Sequence, residues 1–135
     1  MIKLYISARK CPNNVDVGIV LLDKDEISLK TNFKVADLKE VEGYLMGIRR
    51  GLSYIKNTKQ PQLNNNMICI FASNEQSWIN LRIREDRYIQ LIRKKLHINL
   101  SIREPIEEDI ANLKLAKQQY ISKYNLKNNQ KGFTK

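Results

Sequence analysis

The side chains with the clearest chemical direction in this sequence are its cations. Arginine and lysine number 24 against 14 aspartates and glutamates, which leaves a formal charge of +10. Six of them, Arg82, Arg84, Arg87, Arg93, Lys94 and Lys95, crowd the stretch 82–95, and Arg9 and Lys10 stand together near the start. Guanidinium groups suit bidentate contact with phosphate. A field of this sign draws phosphate backbones or anionic membranes from a distance. No basic amphipathic helix with a Trp/Phe/Leu face is visible, so the expected partner is nucleic acid and not a membrane. Metal and thiol chemistry are poorly served. Cys11 and Cys69 lie far apart without a CxxC pair, and His97 is the one histidine. Zinc needs about four ligands with close pairs, so no metal site is expected, and the two cysteines read as reduced, partly buried thiols.

These residues need a scaffold, and 135 residues suit one domain with a real core. The longest apolar runs, such as Val17 to Leu22, are strand-length and too short to span a bilayer. Met1 to Tyr5 has no basic head, long apolar run or small-residue cleavage site, so no signal peptide is expected. An intracellular protein follows, cytoplasmic or in the nucleoid or nucleus.

Hydrophobic periodicity supplies the elements. Ile2 to Ser7, Asp16 to Leu22 and Ile27 to Val35 read as three strands, joined by the turns Cys11-Pro12-Asn13-Asn14 and Asp23-Lys24-Asp25-Glu26. Short turns make them an antiparallel meander. Leu38, Val41, Leu45, Ile48, Leu52 and Ile55 mark one buried helical stripe, with Asp37 as N-cap and Glu40 three residues on. Gly43, Gly47 and Gly51 fall four apart on the adjoining face. Glycine costs a helix about 1 kcal/mol relative to alanine, so something packs unusually close there. Asn57 to Asn66 reads as a polar loop, and Met67 to Ala72 as a buried central strand. Helices over 75–81 and 85–96, a strand over 98–102 and a final helix opened by Pro105 and Glu107, Glu108 and Asp109 complete the chain. Residues 127–135 read as a basic disordered tail.

The order β-β-β-α-β-α-α-β-α resembles the ribonuclease H family, over residues 1–126. The stretch Tyr5 to Asn14 with Val17-Gly18-Ile19-Val20-Leu21 resembles the family's first strand, turn and second strand. Gly43 to Leu52 resembles its Ala-Glu-Leu helix, Ser73 to Asn80 its Thr-Asp-Ser-Gln segment, and Asn112 to Lys117 its Ala-Asp-x-Leu-Ala stretch. The resemblance implies an α/β fold: a five-stranded mixed sheet, three strands as a meander plus parallel strands, flanked by helices.

The resemblance also implies what is missing. The family holds two magnesium ions with three Asp and one Glu, and those positions here carry Ser7, Tyr44, Asn74 and Leu113. Two Mg²⁺ ions about 4 Å apart clamp the attacking and leaving oxygens, and their mutual repulsion calls for carboxylate charge. Magnesium is a hard ion that favours charged oxygen ligands. The expectation is therefore a protein that is not an enzyme and holds no metal or other cofactor. It would bind a duplex or an RNA/DNA hybrid through a basic groove. Arg9, Lys10, Asn13, Gln76, Arg82, Arg84, Arg87, Arg93, Lys94 and Lys95 are its candidate contacts, with RNA, DNA or a hybrid as ligand. Asn13 reads equally as a turn former. Tyr44 reads as a plug for the metal pocket before a base platform, and Trp78 as a core or interface residue. The alternative is a protein-interaction or assembly subunit of a larger nucleoprotein complex.

Overall fold

The computed structural model describes residues 1–36, 39–58 and 67–133, with 122–133 as backbone alone. Strands β1 (Ile2–Lys10), β2 (Val15–Asp23) and β3 (Glu26–Val35) form the antiparallel meander that alternation predicts. The turn between β2 and β3 puts Lys24 and Asp25 at φ 52° and 65°. Two consecutive positive φ values match a tight hairpin to the right-handed twist of its strands. Strand β4 (Met67–Ala72) runs parallel to β1, and β5 (Asn99–Ile102) parallel to β4. The sheet order is β3-β2-β1-β4-β5, with β1 at its centre.

Period-two alternation sorts these strands onto two layers. Leu4, Ile6 and Ala8 of β1 and Val15, Val17, Ile19 and Leu21 of β2 face helix α1 (Glu40–Thr58), whose Leu45, Ile48, Leu52 and Ile55 are buried against them. Val41 packs at the edge of this layer, while Leu38 and Asp37 lie outside the described residues. Tyr5, Val20, Leu22, Cys69 and Phe71 face the other way, onto Leu113 and Ala116 of α4 (Glu107–Phe133). Helices α2 (Gln76–Glu85) and α3 (Arg87–Leu96) complete the α1 side through Ile79, Ile83, Ile89 and Ile92.

The glycine spacing is explained by contact. A Cβ on Gly43, Gly47 or Gly51 would meet Val15 at 2.5 Å, Ile6 at 2.9 Å or Leu4 at 2.7 Å, so α1 lies directly on β1 and β2. Gly18 of β2 does the same for α4, where a Cβ would stand 1.9 Å from the Ala116 carbonyl oxygen.

Several boundaries differ from those read in the sequence. The break between α2 and α3 falls at Asp86, whose carboxylate caps α3 by accepting from the Ile89 N–H at 2.9 Å. Helix α4 starts beyond Pro105, where the Asp109 carboxylate accepts from the Ile106 N–H at 3.1 Å. The segment 127–135, expected as a disordered tail, continues the backbone of α4 as far as Phe133. Its lysines, asparagines and glutamine tolerate a helix, and no proline interrupts them. Much of the expected loop Asn57–Asn66 lies outside the described residues. Among those described, no helix is long and apolar enough to cross a membrane.

Gly18→Ala should be costly, because the obstructing atom is helix backbone and α4 must lift. Overpacking of this kind costs about 3 kcal/mol. Gly51→Ala meets only the flexible end of Leu4 and should cost less. Urea midpoints of the two variants check the order, and equal losses would show that α4 yields freely at Gly18.

Candidate functional site

Strands β1 and β4 run side by side in the same direction, so their carboxyl ends meet. The Ser73 N–H donates to the Ile6 carbonyl at 3.1 Å and extends the pairing one residue past β4. Ser7 belongs by alternation to the α4 layer and Tyr44 to the α1 layer. Ser73, beyond the end of β4, joins them. The Tyr44 and Ser73 hydroxyls are 2.7 Å apart, the Ser73 hydroxyl donates to Ser7 at 3.4 Å, and Ser7 and Tyr120 are 3.2 Å apart. Four hydroxyl groups from β1, α1, the end of β4 and α4 thus make one hydrogen-bonded chain.

The chain continues into charge. The Arg9 guanidinium lies over the Tyr120 ring, 5.0 Å from its centroid. It also donates to Asp16 at 2.9 Å across the β1–β2 pair. Asp16 accepts further from Asn14 at 3.0 Å and from the Cys11 thiol at 3.4 Å. Burial pushes the Asp16 carboxyl up, but the donors Arg9, Cys11 and Asn14 outweigh it and hold it below its ordinary value. Burial pushes the Tyr44 phenol up to about 12, and it raises that of Tyr120 as well. Both phenols therefore keep their protons at neutral pH.

Of the four positions that the family resemblance singled out, Ser7 and Tyr44 come together. The other two are corrected. Asn74 is exposed, and its side-chain oxygen accepts from the Glu75 N–H at 2.9 Å, so Ser73 takes the place beside Ser7. Leu113 is buried in the apolar α4 layer, and the α4 side chain that reaches Ser7 is Tyr120. The reason is helical register. Leu113, Ala116 and Tyr120 follow three-and-four spacing along one stripe, and sequence alone does not say which turn of a stripe crosses a given strand. Asp109, at the start of that stripe, accepts from the Tyr5 phenol at 2.7 Å, which fixes the crossing.

Hydroxyls already bonded to one another supply no carboxylate charge, and among the described residues no three His, Cys, Asp or Glu are grouped to hold a metal ion. This donor set does not fit a pair of magnesium ions.

The candidate contacts stand on separate supports. Arg9 is tied to Asp16 and Tyr120, while Lys10 and Asn13 are exposed at the end of β1 and in the following turn. Gln76 donates to the Ala72 carbonyl at 2.8 Å and closes the end of β4. Arg82 is paired with Glu42 at 2.5 Å. Arg84, Arg87, Lys94 and Lys95 are exposed, and Arg93 is half-buried. Sequence reading missed Ser73, Tyr120 and Asp16, as well as Arg49, which reaches the buried Asp86 with two donors at 2.6 and 3.0 Å. Trp78, expected in the core or an interface, is 62% exposed.

No protein-family model matches the sequence, and no curated protein is similar to it. Solved structures do match. Ribonuclease H1 from the archaeon Halobacterium salinarum is 13% identical, at a TM-score of 0.55, over 90% of this chain and 98% of its own. LC11-RNase H1 in complex with an RNA/DNA hybrid is 13% identical at 0.65, over 87% and 95%. The N-terminal RNase H domain of a Mycobacterium tuberculosis protein is 12% identical at 0.58, over 87% and 96%. The chain therefore has the ribonuclease H-like fold that its element order implies. The expectation that it is not an enzyme is corrected by the same finding. The three structures named are those of ribonuclease H proteins, so the fold gives no ground for setting this chain outside the enzymes.

The Asp16 cluster has a signature in pH. Its folded pKa lies below its unfolded one, so its contribution to stability is whole above the unfolded value and is lost as pH falls through the folded value. Urea midpoints between about pH 6 and pH 2 should fall, and Asp16→Asn should remove part of that fall. An unchanged pH slope in the variant would place the acid sensitivity elsewhere.

Proposed function

We propose that this chain binds nucleic acid in duplex form, through phosphate contacts made by its exposed cations. The observation that carries this reading is the ribonuclease H-like fold, one example of which is solved on an RNA/DNA hybrid, in a chain of charge +10. Partition of the cations supports it. Lys3, Arg9, Arg49 and Arg82 are committed to Glu108, Asp16, Asp86 and Glu42. Arg84, Arg87, Lys94 and Lys95 stand exposed around α3, and no ion pair joins any of them to an acid among the described residues. Long basic side chains held by no internal partner are the ones a phosphate backbone can recruit, with release of condensed counterions. Arg93, in the last turn with Lys94 and Lys95, adds to the same end of α3. Lys10, Asn13 and Gln76 flank the strand ends and would meet sugar or phosphate on the other side of the footprint, with Arg9 fixed behind them by Asp16.

Such contacts position a duplex without reading its sequence. Affinity should then be insensitive to sequence and fall steeply with salt, with a log–log slope of about −0.9 for each phosphate neutralised. Arg87→Gln, Lys94→Gln and Lys95→Gln combined should flatten the slope by about two to three and weaken binding to all duplexes alike. Lys3→Gln, which loosens one exposed pair, should leave the slope unchanged. Fluorescence anisotropy of a labelled duplex across a salt series checks both. A wild-type protein that binds no duplex at about 50 mM salt would turn the reading toward a protein partner within a nucleoprotein complex.

A further inference from the structure

Trp78 is the one tryptophan of the chain, and it sits exposed on the first turn of α2. Beside it opens a cleft of about 370 Å³ between the start of α1 and α2. The indole and Val41 give it two apolar walls, Glu40 and Glu75 two carboxylates, and Lys39 and Arg82 two cations. Glu75 holds φ 66°, in the left-handed region, and its side chain makes no capping bond to α2. Its carboxylate is thereby left to the cleft. Glu42 pairs with Arg82 and fixes that guanidinium at the rim. Glu40 is one helical turn before Tyr44, and Glu75 follows Ser73 by two residues, so the cleft adjoins the hydroxyl chain.

A flat aromatic face, an aliphatic wall, acceptors and cations in one cleft are complementary to the parts of a nucleotide. Unpaired bases stack on aromatic side chains and are read along their hydrogen-bonding edges. We propose that this cleft takes one unpaired nucleotide, its base stacked on Trp78 and its N–H edge donating to Glu40 or Glu75. Guanine offers adjacent ring N–H and amino donors, which a single carboxylate accepts together. Uracil offers one N–H between two carbonyls, and those carbonyls face the carboxylate unfavourably. The phosphate then lies toward Lys39 and Arg82. This inference rests on the nucleic-acid reading above and deepens it. The α3 cations need only a backbone, whereas the cleft needs a base freed from its partner. A protein ligand is less well matched, because among the described residues four of the six lining side chains carry charge and interface cores are depleted of charged residues.

The single tryptophan makes the cleft its own reporter. Its fluorescence should be quenched saturably by GMP, with UMP binding about tenfold more weakly. Glu40→Gln combined with Glu75→Gln should bring the two within about twofold of each other. Trp78→Phe, followed by anisotropy of a labelled oligoguanylate, should bind it several-fold more weakly, with circular dichroism confirming the fold. Quenching that never saturates, equal affinity for the two nucleotides, or quenching by duplex alone would overturn the proposal. So would burial of the indole by a protein partner without any response to nucleotide. Nucleotide quenching that survives in the Arg87, Lys94 and Lys95 variant while duplex binding is lost separates this site from the duplex surface.

Discussion

Backbone contact between α4 and β2 at Gly18, where a Cβ would come within 1.9 Å of the Ala116 carbonyl oxygen, sets the height of the last helix above the sheet. Gly43, Gly47 and Gly51 set the height of α1 on the opposite face in the same way. Helices packed through ordinary side chains stand about 10 Å from a neighbouring layer. Here two of them come closer at chosen points, and the strand ends are reached as a result. Tyr44 is fully buried and still hydrogen-bonds to Ser73, and Tyr120 meets Ser7, the residue paired directly with Gly18 across β1 and β2. Each helical glycine costs propensity, and the close approach it permits returns dispersion contact along β1 and β2.

Arginine has two distinct uses in this protein. Arg49 and Arg9 face buried or nearly buried carboxylates, Asp86 and Asp16, and hold elements together: α1 to the α2–α3 break, and β1 to β2. Arg50 lies over the Phe33 ring at 4.2 Å and binds α1 to the outer strand β3. Losing either of the two buried carboxylates would leave a guanidinium without its partner, and losing the guanidinium would strand a charge in the interior. The exposed cations of α3 have no such obligation. A net charge alone does not distinguish these two groups.

Much of the fold is legible in the sequence because the two periods are clean. Alternation in β1 to β3 and the stripe of Leu45, Ile48, Leu52 and Ile55 each have one physical reading, and the glycine spacing announces close packing before any contact is seen. The strand-end cluster is legible only in part. Ser7 and Tyr44 follow from strand and helix positions that short-range pattern determines. Ser73 and Asn74 are neighbours, both exposed, and which of them meets Ser7 and Tyr44 depends on the ladder bond from Ser73 to Ile6, a long-range fact. Tyr120 shares its stripe with Leu113, so its place depends on where α4 crosses β2. Partners such as Asp16 with Arg9, or Asp86 with Arg49, are set by strand pairing and helix packing, and neither is written in local sequence. Trp78 shows the converse: its type suggests burial, and its position at the start of α2 exposes it.

The hydroxyl chain at the strand ends has a direction as well as a geometry. Each hydroxyl can give one proton, so with Ser73 donating to Ser7 the Tyr44 hydroxyl donates to Ser73, while the link between Ser7 and Tyr120 can run either way. Reversing the link from Tyr44 to Ser73 takes away the proton that Ser73 gives to Ser7, so these hydroxyls are coupled and do not behave as separate pairs. A methyl-for-hydroxyl change at either serine would cut the array into halves that reorient independently. The losses from changes at Ser7, Ser73, Tyr44 and Tyr120 therefore should not sum. The end of the sheet has a polarity set by protons, laid across a backbone whose own dipoles point from strand to strand and largely cancel.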